Sequence, residues 1–228
     1  MTLKEALAEG ERLLKAPSPH ASIDSPALDA ALLLAEALKI SREKLIVLGN
    51  EPMDDSDYES FLNLISKRLG GECIAYILGR KDFRYLSFTV NPEVLVPRPD
   101  TETLVEAALE YIDIFTEKSD KISLLDLCTG SGAVAISLKY ERPNIKVTAS
   151  DICIKALKTA AENAVCHNST ITFIESNLFE NINGKFNIIV CNPPYIPSSE
   201  LPALPAEVRR EPKLALLEAK MAFSSSDK

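Results

Sequence analysis

The stretch "VCNPPYIP", Val190 to Pro197, ends an apolar β-branched run with an amide side chain, two prolines and an aromatic ring. Each proline pushes the residue before it into extended backbone, so Pro193 fixes Asn192 and Pro194 fixes Pro193. The result is a stiff loop that presents the Asn192 side-chain oxygen and the Pro193 carbonyl in the same direction. Two acceptors so arranged suit a planar nitrogen with two N–H groups, as in a carboxamide or a base amine. The lone pair of such a nitrogen is delocalised, which makes it a poor nucleophile. Binding both hydrogens orients it and lets it pyramidalise toward an electrophile. Tyr195 can stack on the planar group and exclude water. A sulfonium methyl needs in-line placement more than acid–base catalysis. That suits a sequence whose only histidines are His20 and His167, and no metal site is expected.

A second stretch, "LLDLCTGSGAVAI", reads as a strand, a glycine turn and the start of a helix. Gly130 and Gly132 lack Cβ atoms, so the backbone turns sharply there and a ligand can approach it closely. With Ala135 they fit the spacing G-x-G-x-x-A of a dinucleotide fingerprint. Asp151 ends the next predicted strand, where a carboxylate can accept from both hydroxyls of a ribose. Alone, this pattern serves a nicotinamide cofactor and S-adenosylmethionine equally. The Asn192–Tyr195 tetrad decides against hydride transfer, which has no use for two acceptors there and would want a proton acceptor beside the nicotinamide. Asn177, in "ESNLFE", follows the third strand. It is either an acceptor for an adenine amine, with Leu178 or Phe179 packed on the ring, or an ordinary polar loop residue.

These groups need a scaffold that delivers them to one edge. From residue 122 the pattern alternates: strands Ile122–Cys128, Lys146–Ser150, Ile171–Glu175 and Phe186–Cys191, with helices Ser131–Tyr140 and Ile154–Cys166. Such alternation predicts parallel strands joined by right-handed crossovers, an α/β doubly wound sheet whose ligands sit at the strand carboxyl ends. Residues 1–78 read as a small helical domain for docking or substrate recognition. Thr2–Glu5 is a capping box, Ser25-Pro26 opens a helix whose expected apolar face is Leu28, Leu32, Ala35 and Leu38, and a shorter helix starts at Ser41. A further helix from Asp55 stops at Gly70-Gly71. Residues 79–98 read as a β-hairpin linker, alternating around Phe83, Tyr85, Phe88 and Val90 with a turn at Asn91-Pro92. Pro99-Asp100 opens a helix, and 99–228 is the expected cofactor-binding domain.

Composition narrows the function. The 228 residues carry 25 Lys+Arg and 33 Asp+Glu, a net charge of −8, which argues against a broad nucleic-acid groove. Two small basic clusters, Arg80 with Lys81 and Arg84, and Arg209 with Arg210, read as solvated surface. The five scattered cysteines read as reduced cytosolic thiols. No stretch approaches the ~18 apolar residues of a membrane span, and the charged amphipathic N-terminus is not a signal peptide. A cytoplasmic monomer with no membrane or direct nucleic-acid partner is expected.

With these motifs assembled, the sequence resembles the HemK/PrmC family, the methyltransferases that modify the glutamine of the Gly-Gly-Gln motif in peptide-chain release factors. The likeness runs from about residue 25 to 216, through "RLGGECIAYILGRKDFRYLSFTV", "VLVPRPDTETLVE", "LLDLCTGSGAVAISL", Asp151, "VCNPPYIP" and "EVRREPKLAL". It implies a class I S-adenosylmethionine-dependent methyltransferase sheet preceded by a small α-helical domain. It further implies that Cys128, Thr129, Gly130, Ser131, Gly132 and Asp151 bind S-adenosylmethionine, that Asn177 and Leu178 contact adenine, and that Asn192, Pro193, Pro194 and Tyr195 hold the substrate glutamine beside the cofactor. Cys128 stands where the family frequently has glycine, a departure expected to be minor because the residue is small. Asn177 stands where aspartate is more frequent, so its bond to adenine should be weaker. After "PKLAL" the family continues through a glycine-rich loop, a helix and three strands, whereas this sequence runs to "LEAKMAFSSSDK". Four strands in place of seven imply a sheet incomplete at its C-terminal side, with Phe186–Cys191 as an exposed apolar edge. A frameshifted or truncated copy, a fragment completed by a partner and an inactive remnant all fit that expectation. Methylation of a ribosomal-protein glutamine or of a nucleic-acid base is the alternative activity.

Overall fold

Local signals set the helix starts. Thr2 opens α1 (Leu3–Lys15) through a reciprocal capping box, its hydroxyl accepting from the Glu5 N–H and its own N–H donating to the Glu5 carboxylate. Pro26 occupies the first turn of α2 (Pro26–Leu38), although the Ser25 hydroxyl makes no cap bond. Ser41 caps α3 (Arg42–Val47) by accepting from the Lys44 N–H. After α4 (Asp55–Leu69) the chain turns at Gly71, φ +88°, where a Cβ would come within 2.2 Å of the His20 carbonyl. A fifth helix, α5 (Ile74–Leu78), has too few residues to show a period in the sequence. This computed structural model describes residues 1–218 except 19, 22 and 117–120, so the C-terminal stretch 219–228 of the expected early ending lies outside the described residues.

The chain divides into two compact units, Met1–Leu78 with Ala203–Arg210, and Gly79–Pro202 with the chain from Glu211 onward. In the first, Leu33, Leu34, Phe61 and Ile65 form a buried core. The expected apolar face of α2 is corrected here: Asp29, Ala30, Leu33, Leu34 and Ala35 are buried, and Leu28 is exposed. Asp29 turns the helix. Its carboxylate accepts from the buried Arg68 guanidinium at 2.7 Å, and Arg68 also bonds Glu207 at 2.7 Å. A charge removed from water needs such partners. The Glu207 bond ties residues 203–210 to the helices, with which they group, whereas the sequence pattern assigns them to the 99–228 domain.

The second unit begins with a hairpin, β1 (Arg80–Phe83) and β2 (Leu86–Thr89), antiparallel with Phe83 opposite Leu86. Its reversal is at Arg84–Tyr85, with Arg84 at φ +52° and Tyr85 exposed, and the expected turn at Asn91 follows the second strand. Arg84 is not solvated surface: its side chain is mostly buried and bonds Glu141 twice, at 2.7 and 3.3 Å. Then come α6 (Thr101–Thr116), β3 (Ser123–Leu127), α7 (Ala133–Glu141), β4 (Lys146–Asp151), α8 (Ile154–Cys166), β5 (Ile171–Glu175), β6 (Ile188–Cys191) and a single turn of helix, α9 (Lys213–Leu216).

The four strands β3–β6 are all parallel, in the order β5-β4-β3-β6. After Ser123 the β3 strand is apolar on both faces apart from Asp126, as suits a central parallel strand. Its core neighbours Ile112, Ile136 and Leu138 are fully buried, each contributing roughly 1.5–3 kcal/mol. From β3 the chain moves one way to β4 and β5, then crosses to β6 on the other side. The gap between the carboxyl ends of β3 and β6 is therefore the topological switch point, where open α/β sheets bind ligands. Among the described residues β6 is an edge strand, as the sequence led us to expect, and Ile189 is half exposed on it.

Candidate functional site

Register brings the two motifs together. Leu127 pairs with Cys191, so the glycine loop and the Asn-Pro-Pro-Tyr segment leave the sheet side by side at the switch point. A cavity of about 270 Å³ opens there. Cys128, Thr129, Gly130 and Ser131 line it from the loop, Asp151 from the end of β4, and Asn192 and Pro194 from the tetrad. Gly132, Pro193, Asn177, Leu178 and Tyr195 are not among the lining residues. Tyr195 is 70 % exposed. Asn177 is exposed beyond β5, its amide donating to the Glu180 carboxylate at 2.7 Å.

The loop is held by its own backbone and by Asp151. Gly130 N–H donates to one Asp151 carboxylate oxygen at 2.9 Å and Cys153 N–H to the other, also at 2.9 Å. The carboxylate thus welds the loop to the end of β4, and each oxygen retains a lone pair for a ribose hydroxyl. Gly130 sits at φ +56°, and a Cβ added there would meet no atom within 4 Å. Its bare backbone faces open space, a cradle for a ligand. Gly132 is tight for the opposite reason: at φ +82° its added Cβ would come within 2.8 Å of Ile136 and 3.1 Å of Ala160. It allows α7 to start against α8.

Cys128 corrects an expectation based on size. Its φ is +58°, in the left-handed region, so glycine suits this position for conformation and not for volume. The Cys128 thiol hydrogen-bonds Cys191; that bond, aided by burial, pushes Cys128 up, and it holds Cys191 below the ordinary thiol range against the opposing effect of burial. Cys128→Gly should raise unfolding stability by about 0.5–1 kcal/mol, strain relief exceeding glycine's greater chain entropy. Urea unfolding measures it, and a fall in stability would mean that the sulfur contact outweighs the strain.

Several lining residues escaped the sequence reading. Asp126 is 1 % exposed and accepts from the Thr129 hydroxyl at 2.6 Å. Burial raises its carboxyl to about 7, opposed by the bonds from Thr129 and the Ala135 backbone and aided by the Asp151 charge. A lone acid within the apolar run "LLDL" was the signal available. The native state therefore holds a proton that the unfolded chain releases above about pH 4. The contribution of this group is fully present below that value and is lost as pH rises through about 7. Asp126→Asn, which does not titrate, should show a flatter dependence of stability on pH between about 4 and 7. Parallel curves for parent and variant would exclude the shift.

Arg98 and Thr101 of "PRPDTE" and Pro212–Ala215 of "EPKLAL" also line the cavity. Beyond the tetrad, Ile196 N–H donates to the Leu216 carbonyl and Glu218 N–H to the Ile196 carbonyl, which ties the exit of the tetrad to α9.

Residues 5–79 match the PrmC N-terminal domain family, and residues 107–203 the methyltransferase small domain family. A release factor glutamine methyltransferase of Moorella thermoacetica is 38% identical over 219 residues, which span 95% of this chain and 75% of that protein. A bifunctional methyltransferase of Rickettsia bellii is 36% identical over 241 residues, 94% of this chain and 43% of that longer protein. Among solved structures, the catalytic domain of hMettl16 in complex with a MAT2A 3′UTR hairpin has the same fold, with a TM-score of 0.50 at 16% identity over 69% of this chain and 58% of that one.

Proposed function

The chain belongs to the release factor glutamine methyltransferase family, and from that premise we infer how its site works. It is an S-adenosylmethionine-dependent methyltransferase acting on a glutamine of peptide-chain release factors. The target is the glutamine of Gly-Gly-Gln, methylated on its side-chain nitrogen. When bound, S-adenosylmethionine supplies a methyl group carried on a positively charged sulfur. The residues present fit it: open glycine backbone at Gly130, and Asp151 with lone pairs remaining for the ribose. Cys128, Thr129, Ser131 and Gly132 complete the loop around it, and Asn177 and Leu178 serve the adenine end.

Asn192 and Pro193 do the chemical positioning. The Asn192 side-chain oxygen and the Pro193 carbonyl each accept one N–H of the substrate carboxamide. Held so by Asn192 and Pro193, the nitrogen would present its lone pair to the methyl that the bound cofactor would supply. One of the two protons is then lost to solvent water, which leaves a neutral N-methyl amide. Pro194 stiffens the pair, and Tyr195 closes over the planar group once substrate is present. The observation that carries this reading is the pairing of Leu127 with Cys191, which sets Asn192 beside the glycine loop. The helical segment 1–78 recognises the substrate protein. The enzyme works as a cytoplasmic monomer without nucleic acid, in keeping with its charge of −8. Among the described residues no helix is long and apolar enough to cross a membrane.

The test is methyl transfer from labelled S-adenosylmethionine to a release factor carrying Gly-Gly-Gln, against a Gly-Gly-Ala control. Label on the first alone is expected. Equal labelling of both, or labelling of neither, would overturn the assignment of the target.

A further inference from the structure

The segment Val94–Glu102, "VLVPRPDTE", supplies no group to the chemistry above, yet Pro97, Arg98 and Thr101 line the same cavity as Asn192. It is firmly anchored. The buried Glu211 carboxylate accepts from the Val96 N–H at 3.2 Å and pairs with the Arg98 guanidinium. The Thr101 N–H then donates to the Arg98 carbonyl at 3.0 Å as α6 begins. From this fixed position the Thr101 hydroxyl oxygen accepts from the Asn192 side-chain nitrogen at 3.3 Å, across 91 residues of sequence.

That bond bears on a choice the proline loop leaves open. A carboxamide is planar, with a donor end and an acceptor end of nearly the same shape, and rotation about its last torsion exchanges them. Only one arrangement suits a substrate that itself presents N–H groups. With oxygen turned to the substrate, Asn192 accepts; with nitrogen turned there, two NH2 groups face each other. Among the described residues none donates to the Asn192 oxygen, and the Thr101 hydroxyl, which could serve either end of the carboxamide, is placed as the acceptor of its nitrogen. We propose that Thr101 is a positioning residue that holds the Asn192 carboxamide nitrogen and so leaves its oxygen for the substrate amide. The inference rests on the methyltransfer reading for its consequence. Thr101 itself touches no reacting atom.

The experiment compares Thr101→Val, which keeps the shape and removes the acceptor, with Thr101→Ser, which restores a hydroxyl. Thr101→Val should lower kcat by about tenfold to a hundredfold. Its Kd for S-adenosylmethionine should stay within about twofold, and Thr101→Ser should recover most of the turnover. Independently of turnover, the Asn192 side-chain amide signals in a ¹⁵N–¹H NMR spectrum, assigned by their loss in Asn192→Ala, should shift in Thr101→Val and return in Thr101→Ser. Unchanged amide signals in Thr101→Val overturn the inference whether or not the parent is active. So does unchanged kcat with an active parent, and so does equal loss in both variants, which marks a merely structural role. A parent that transfers no methyl overturns the methyltransfer reading instead, and the amide signals still decide on Thr101.

Discussion

Asn192→Ala should abolish measurable methyl transfer, on the order of 10²–10³-fold in kcat, while leaving the Kd for S-adenosylmethionine within a small factor. The substrate nitrogen is unreactive while its lone pair stays delocalised into the carbonyl. In the proposed mechanism the site overcomes this by holding the nitrogen in line with the methyl. On the proposed two-acceptor arrangement, removing the side-chain acceptor would leave the Pro193 carbonyl as the single anchor, and a nitrogen held by one bond would rotate out of line with the methyl. The cofactor loop does not depend on Asn192: its backbone bonds run from Thr129 to Ser150 and from Gly132 to Thr129, and the Gly130 N–H bonds Asp151. Stopped-flow or endpoint methyl transfer and calorimetric binding separate the two quantities. Equal loss of both would assign Asn192 to the fold or to cofactor binding, and the mechanism would have to be rebuilt around another acceptor.

A comparable effect, on stability, is expected at a residue with no role in the chemistry. Asn163, in the middle of α8, is 1 % exposed and satisfies all its partners at once. Its oxygen accepts from the Thr89 N–H at 2.8 Å, and its nitrogen donates to the Thr89 carbonyl at 3.0 Å and the Ser131 carbonyl at 2.9 Å. The carboxamide pairs with the hairpin edge as a neighbouring strand would, and at the same time pins the glycine loop from behind. Asn163→Leu keeps the branched shape and leaves three backbone groups without their partner, the buried Ser131 carbonyl and the part-buried N–H and carbonyl of Thr89. At about 1–3 kcal/mol for each unsatisfied group, partly relieved by local opening, the loss should be roughly 3–5 kcal/mol. In a domain of this size that lowers the melting temperature by about 10 °C or more. Cofactor affinity should fall as well, because the Ser131 carbonyl anchors the loop. Thermal unfolding with and without S-adenosylmethionine reads both effects, and a shift below about 2 °C would show that water reaches these groups.

The features legible in the sequence are those written in local spacing. Strand and helix periods from residue 122 onward predicted the parallel sheet, Thr2 and Glu5 marked the first helix, and the proline run marked a rigid end to β6. The glycine pair was equally readable, because a left-handed turn leaves few residue types to choose from. What the tertiary structure decided were pairings between distant positions. Asp29 faces inward because Arg68 lies 39 residues away to receive it, which turns α2 off the face its leucines suggested. The site shows the same division. Asn192 and Asp151 stand out by type and place, but Thr101, Asn163 and Glu211 become meaningful only when folding brings their partners within hydrogen-bonding distance. Cys128 is the sharpest case, since its small volume is visible in the sequence and its positive φ is not. Backbone period is a property of a few neighbouring residues, whereas a buried polar side chain is defined by whatever satisfies it, and that partner is chosen by packing across the whole chain.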